Sequence, residues 1–261
     1  GLVTAVGLLS SIPLYADAAQ NKLLQGELES PDAASEEEAA RSREPFSFLW
    51  RYIGAWHGNV AWEAYEPVDQ FLTEQATVSV DLPFDAQVRH VATDKMRLFP
   101  SEDAAFIPDE PLLWASLGFI SGLDGQIQLA EGDLPEEAAP DEPVEVLVSR
   151  KTADTLGFQV GERYTLFAIG QEQAQVPVRI VGVWQAGNAA DPAWFYQPDA
   201  FDEVLLTGEG AVRRQVVPAL DAPVATGVWY QIYDGSRVRP AHVNGLLEEV
   251  SIVEARVTAL L

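Results

Sequence analysis

At 261 residues, 48 % hydrophobic and 10 % aromatic, the chain is long enough to bury a proper core as one large domain or two small ones. Forty acidic residues against 16 basic give a formal charge of −24, which repels phosphate backbones and anionic headgroups and excludes nucleic acid as a partner. The absence of cysteine excludes disulfides, thiolate nucleophiles and Cys-ligated metal sites.

The chain opens on "GLVTAVGLLSSIPLYADAAQ", whose first fourteen residues carry no charge. That run is shorter than the ~20 residues that cross a bilayer, and it has no basic flank of the signal-peptide kind. It reads as the outer end of a transmembrane helix or as an ordinary buried helix. The acidic residues that follow (Asp17, Glu27, Glu29, Asp32 and Glu36 to Glu38) favour the first and an extracytoplasmic face. Helical spacing continues from Tyr15 to Leu28, and "SEEEAARSRE" is a polar helical patch with Ser35 and Glu38 at capping-box spacing.

"FSFLWRYIG", Phe46 to Gly54, predicts a strand. A helix is predicted over Pro67 to Ser79, with Val68, Phe71, Leu72 and Gln75 to Val78 facing inward. One strand is predicted over Gln87 to Phe99, with Val88, His90 and Ala92 opposite Arg89, Val91 and Thr93. Strand, helix and strand make a first β-α-β unit. After a proline-marked loop, "LLWASLGFISGL" is a further apolar strand. The stretch from Glu131 to Glu145 has seven acidic residues and no basic one, and Pro135, Pro140 and Pro143 lie within it, so it reads as a solvated connector. The spacing of an EF-hand calcium loop is absent from it.

"VEVLVS" is a strand, Ser149 an N-cap, and "RKTADTL" two turns of helix with Ala153 and Leu156 inward and Gly157 as its left-handed terminator. The chain turns at Gly161 into "RYTLFA", and "VPVRIVGVW", Val176 to Trp184, pairs with that strand. The result is a β-α-β-β unit between Val144 and Trp184. "DPAWFYQPDAFDEVLL" concentrates aromatics. Were Trp194, Phe195 and Tyr196 in a strand, they could not share a face, which makes them the candidate partner contact, with core packing for most of the cluster. "GVWYQIYDG" is a strand, and Pro240 opens an amphipathic helix with Val243, Leu246, Leu247, Val250, Val253 and Val257 on its stripe. A helix so placed is expected to return to a further strand.

The pattern of chemistry is sparse. His57, His90 and His242 are scattered singly, outside any zinc-binding spacing. "GFISG" puts its serine one place late for a nucleophile elbow, and no lysine follows a glycine, which excludes a Walker A loop. Forty carboxylates leave open a folded acid/base pair, but no spacing selects one.

The order of elements, and above all "EVLVSRKTADTLGFQVGERYTLFA" followed by "VPVRIVGVW", resembles the extracytoplasmic domain of an ABC transporter permease of the FtsX-like/MacB-like type. The resemblance is good from Glu145 to Trp184 and looser over the flanks, with long acidic, proline-rich insertions as a departure. It implies an α+β, mixed α/β fold: porter-like β-α-β units from the two chain ends, with a small β-α-β-β subdomain inserted in the middle. Residues 1–16 would end a transmembrane helix, 17–123 and 226–261 would form the porter-like part, and 124–225 the insert. It further implies a protein that is not an enzyme, without cofactor, metal or catalytic residues. Its partners would be a cytoplasmic ABC ATPase subunit, the membrane through the N-terminal helix, and a second permease in a dimer. Efflux, lipoprotein or lipid export and control of cell-wall hydrolases are the functions it implies. A membrane-anchored sensor or solute-binding module is the competing expectation, with a ligand-sized pocket between the two parts. An exported hydrolase built on facing carboxylates is a third.

Overall fold

A computed structural model describes residues 46–101, 110–137, 139–170, 174–191, 193–236 and 238–260. The predicted membrane-helix end and the helical patches before Glu44 lie outside the described residues. No helix among the described residues is long and apolar enough to cross a membrane.

The fold is α+β. Strand β1 (Ser47–Ile53) leads through a short helical turn (Gly54–His57) to α1 (Trp62–Gln70), which continues as a π-helical turn (Phe71–Ala76) and a last turn (Thr77–Ser79). Then come β2 (Phe84–Ala92), β3 (Met96–Pro100), β4 (Leu113–Ile120), β5 (Ile127–Gly132) and β6 (Val144–Ser149). Helix α2 (Arg150–Leu156) precedes β7 (Arg163–Phe167), β8 (Gln175–Ala186) and β9 (Val204–Leu206). Helix α3 (Glu209–Ala211) runs on as a π-helical turn to Val216, followed by β10 (Thr226–Tyr233) and α4 (Val243–Leu260).

The strands lie in the order β1-β10-β2-β4-β3-β7-β8-β6-β9. β10 is antiparallel to both β1 and β2, so those two run parallel with α1 crossing between them, a split β-α-β layer. β9 returns parallel to β4, so the pairing from β4 through β3, β7, β8, β6 and β9 closes into a ring. Closure is thinnest at the single pair Leu147–Leu206. β4 serves both parts: Leu113 to Ala115 pair with β3, and Gly118 to Ile120 pair with β2.

The strand predicted over Gln87 to Phe99 is two strands, and the reason is a one-residue slip. Ala92 pairs with Gly118, whereas Met96 pairs with Ala115, so Thr93 to Lys95 hold one residue more than β4 offers. The Thr93 hydroxyl oxygen stands in for a backbone acceptor, receiving the Leu117 N–H at 3.0 Å. Because side chains alternate with a period of two, the slip exchanges faces. Val91 before it and Met96 and Leu98 after it therefore all enter the same core.

That core lies under α1 and inside the ring, joining Val68, Leu72 and Trp229 to Leu98, Leu117, Leu166, Val178 and Ile180. A second core lies on the other face of β2 and β10, with Val88, Ile120, Val228 and Tyr230 packed against Trp184, Trp194, Phe195 and Phe201. Each fully buried Leu or Ile contributes ~2 kcal/mol through lost water contact.

Several expectations are corrected by packing. α1 begins at Trp62, not Pro67, because Trp62 and Tyr65 are buried and their packing outweighs the donor Pro67 removes. The π-helical turn resets the helix phase, so Ala76 and Thr77 face inward and Val78 is 80 % exposed. In α2 Ala153 is buried but Leu156 is not. Only Val253 of the α4 stripe is fully buried, and Leu247 is exposed, because α4 rests on α1 along a narrow line. Strand β5 runs into the first two residues of the acidic connector, Glu131 and Gly132, and takes the C-terminal half of β8 as its partner. The β-α-β-β unit forms as predicted: β6 parallel to β8, β7 antiparallel to it, Ser149 Oγ accepting from Thr152 N at 3.2 Å, and Gly157 at φ 74°.

Candidate functional site: an arginine-centred joint

The sequence puts Arg89 on the face of β2 that also carries Gln87 and Val91, directly opposite Trp229 of β10. Folding surrounds its guanidinium with acceptors. Nη1 donates to Asp69 Oδ2 at 2.8 Å and Nη2 to Glu209 Oε2 at 2.6 Å, with side chains only 18, 17 and 33 % exposed in that order for Arg89, Asp69 and Glu209. The remaining oxygen of Asp69 receives two further donors, Tyr65 Oη and Trp229 Nε1, both at 2.8 Å. One carboxylate therefore ties α1 to β2 and to β10, and one guanidinium ties both to α3.

Aromatic rings extend the joint. Tyr65 stacks on Trp229 with centroids 5.5 Å apart and packs against Trp62 at 4.9 Å. Arg213 of the α3 segment lies over the Trp62 ring at 5.6 Å and pairs with Glu66. Gly227 leaves room for the Trp229 and Tyr65 rings, which a Cβ there would crowd. Burial lowers the Arg89 guanidinium's pKa, but the two carboxylates outweigh it and the net direction is up. Burial, then the Asp69 charge and hydrogen bond, push the Tyr65 phenol far above its ordinary range. Both groups keep one protonation state throughout the neutral range, so the arrangement supplies fixed charge and stiffness rather than proton transfer.

A second polar tie lies beside it. The buried Gln231 amide donates to Leu72 O at 2.7 Å and to Gln87 Oε1 at 3.0 Å, and accepts from Trp50 Nε1 at 3.0 Å. Together the two networks fix α1 on β1, β10 and β2 at specified angles, because each buried donor has one geometry that satisfies it.

The residues singled out from sequence lie elsewhere. Trp194 and Phe195 are 8 and 3 % exposed and belong to the second core, and Tyr196 is half-buried with its hydroxyl accepting from Arg51 Nη1 at 3.4 Å. The three are in a loop rather than a strand, which lets neighbouring rings turn the same way. His57 and His242 are exposed. His90 is buried between Phe195 and Phe201, with Nδ1 2.8 Å from Phe119 O. Burial holds its imidazole down to about 4, against the opposing pull of that hydrogen bond. Among the described residues no group of His, Asp and Glu is arranged to hold a metal ion. Asp69, Arg89 and Glu209 were not selected by spacing. The available signals were Tyr65 and Asp69 four residues apart on one helix face and a lone arginine on the inward face of a strand; nothing local announces Glu209.

No protein family matches the chain, and no curated protein matches it. Among solved structures the chain is similar to "a domain of a putative Permease protein from Porphyromonas gingivalis", at 16 % identity and a TM-score of 0.35, over 67 % of this chain. The match spans 66 % of that chain's length.

Proposed function

We propose that this chain is the extracytoplasmic domain of an ABC transporter permease of the FtsX-like/MacB-like type. It performs no chemistry itself and passes displacement driven by a separate cytoplasmic ATPase to a substrate or partner outside the membrane. The resemblance carried by "EVLVSRKTADTLGFQVGERYTLFA" and "VPVRIVGVW" supports the reading. So does the joint, whose charges are spent on one another.

One geometric observation carries it. The first and last strands of the described fold are neighbours, β1 and β10 pairing along their length, and Tyr233 N donates to Phe46 O at 3.2 Å where one begins and the other ends. Displacement applied where the chain enters β1 reaches β10 through a hydrogen-bonded ladder. From there it passes to β2 and, through the shared strand β4, into the ring. A body coupled in this way moves as a lever.

The test uses the full-length protein in membranes. Affinity capture through a tag on this chain is expected to bring down an ATPase. A flexible glycine–serine insert after Asp234 should leave that ATPase bound and hydrolysing while export stops. Capture without an ATPase, turnover of a substrate by the domain alone, or a saturable thermal shift with a small solute would each overturn the reading.

A further inference from the structure

The acidic connector is not simply solvated: one end of it is fastened to α3. Its turn from Ala139 to Glu142 is closed by Glu142 N donating to Ala139 O at 3.0 Å and by Ala139 N donating to Glu142 Oε2 at 3.2 Å. The buried Gln215 side chain, on the π-helical continuation of α3, donates its amide to both carbonyls of the turn: Ala139 O at 3.0 Å and Glu142 O at 2.8 Å. Beside it Arg214 pairs with Glu137. Gly210 leaves the space the Glu137 carboxylate occupies, since a Cβ there would overlap it. The same short helical segment begins with Glu209, the second carboxylate on Arg89. One rigid piece of backbone thus carries the fastener of the turn at one end and an arm of the joint at the other.

We infer that the Ala139–Glu142 turn is a latch: its engagement by Gln215 sets the position of α3 and, through Glu209, the state of the Arg89 joint. Lifting the turn frees the segment to shift. The Glu209 arm then slackens, Arg89 is left to Asp69, and the hydrogen bond from Trp229 Nε1 to Asp69 changes its geometry. The latch gives the acidic insert a role in controlling the stiffness between ring and layer, and it does not depend on the permease reading.

The test is carried out on the whole 261-residue chain by NMR. Gln215→Met removes both donors while keeping the volume of the side chain. Exchange of the Ala139 and Glu142 amides is expected to rise about tenfold, the effect of losing hydrogen bonds of ordinary strength. In the same sample the Trp229 indole cross-peak should move while those of Trp50 and Trp194, bonded to Gln231 and Asn188, stay in place. Arg214→Gln, at an exposed arginine, should give the same pair of changes at smaller amplitude, which keeps the test open if the first variant folds poorly. Coupling of this kind is reciprocal, so Glu209→Gln should speed exchange in the turn. A loosened turn with an unmoved Trp229 indole, or a turn that stays protected without Gln215, would overturn the inference.

Discussion

Arg89 and Trp229 face each other across β2 and β10 and share one carboxylate, Asp69, which takes the guanidinium on one oxygen and the indole N–H on the other, each at 2.8 Å. Replacing Arg89 with Met leaves two carboxylates half-desolvated and uncompensated. The expected cost is about 2–3 kcal/mol, at or below the low end for a broken buried pair because Glu209 retains some access to water. Asp69→Asn should cost less, ~1–2 kcal/mol, because the amide oxygen still accepts a neutral donor. Urea unfolding of the two variants measures both, and equal effects would rule out the charge as the source.

His90 gives the acid limb of stability a definite sign. Its folded pKa, about 4, lies below the ordinary 6.5, so the unfolded chain takes up the proton first as pH falls. The stability tied to the neutral ring is complete above 6.5, declines as pH falls towards 4, and is gone below that, a total of roughly 3 kcal/mol. In His90→Phe that part of the pH dependence should vanish, leaving only the carboxylate contribution. Unfolding free energies at pH 7 and pH 4.5 for both proteins decide it.

The aromatic run separates core from surface. Phe195→Ala should destabilise by about 3–5 kcal/mol, as expected for an aromatic removed from a sealed core. Tyr196→Ala, half-buried with its ring against Phe195 and one long hydrogen bond from Arg51, should cost less, about 1–2 kcal/mol. Thermal denaturation of the pair distinguishes a packing role from a contact role for Phe195 and Tyr196.

Gly118 of β4 pairs with Ala92 of β2, and a Cβ there would overlap the Val91 carbonyl oxygen and press on Ala92. Gly118→Ala is expected to destabilise by more than about 2 kcal/mol, since the neighbour is backbone and cannot rotate away. Gly125→Ala, with open space around its Cβ position, is the control and should be close to neutral by the same unfolding measurement.

Salt should stabilise the native state. A charge of −24 repels itself most when the chain is compact, and added sodium chloride screens exposed carboxylates over about 10 Å at 0.1 M. The melting temperature is expected to rise steadily with salt, whereas the Arg89→Met penalty stays nearly constant because that site is shielded from ions. A melting temperature that falls with salt would mean that surface ion pairs outweigh the self-repulsion.

Local pattern made much of the fold legible. β1, β4, β6, β7, β8, β10 and α4 stand where the sequence places them, and Ser149 and Gly157 bound α2 as a cap and a left-handed terminator. These follow from side-chain periodicity and backbone preference, which act over a few residues. The failures have a common origin. β5 escapes notice just ahead of the acidic stretch because its stabilisation comes from pairing with β8, far along the chain, rather than from its own composition, as Ile127 opposite Ala186 illustrates. Val78 turns outward because a π-helical turn, in which Phe71, Leu72 and Ala76 are buried, changes the phase of α1.

The sequence by itself determined the element types, the apolar stripes and the excess of negative charge, since each depends on neighbours along the chain. Only the tertiary structure decided that Asp69, Arg89 and Glu209 meet, that the ring closes on β4, and that an acidic turn is pinned by Gln215. Those are contacts between residues far apart in the chain. Their geometry is set by register, bulge and burial acting together, and no local window contains all three.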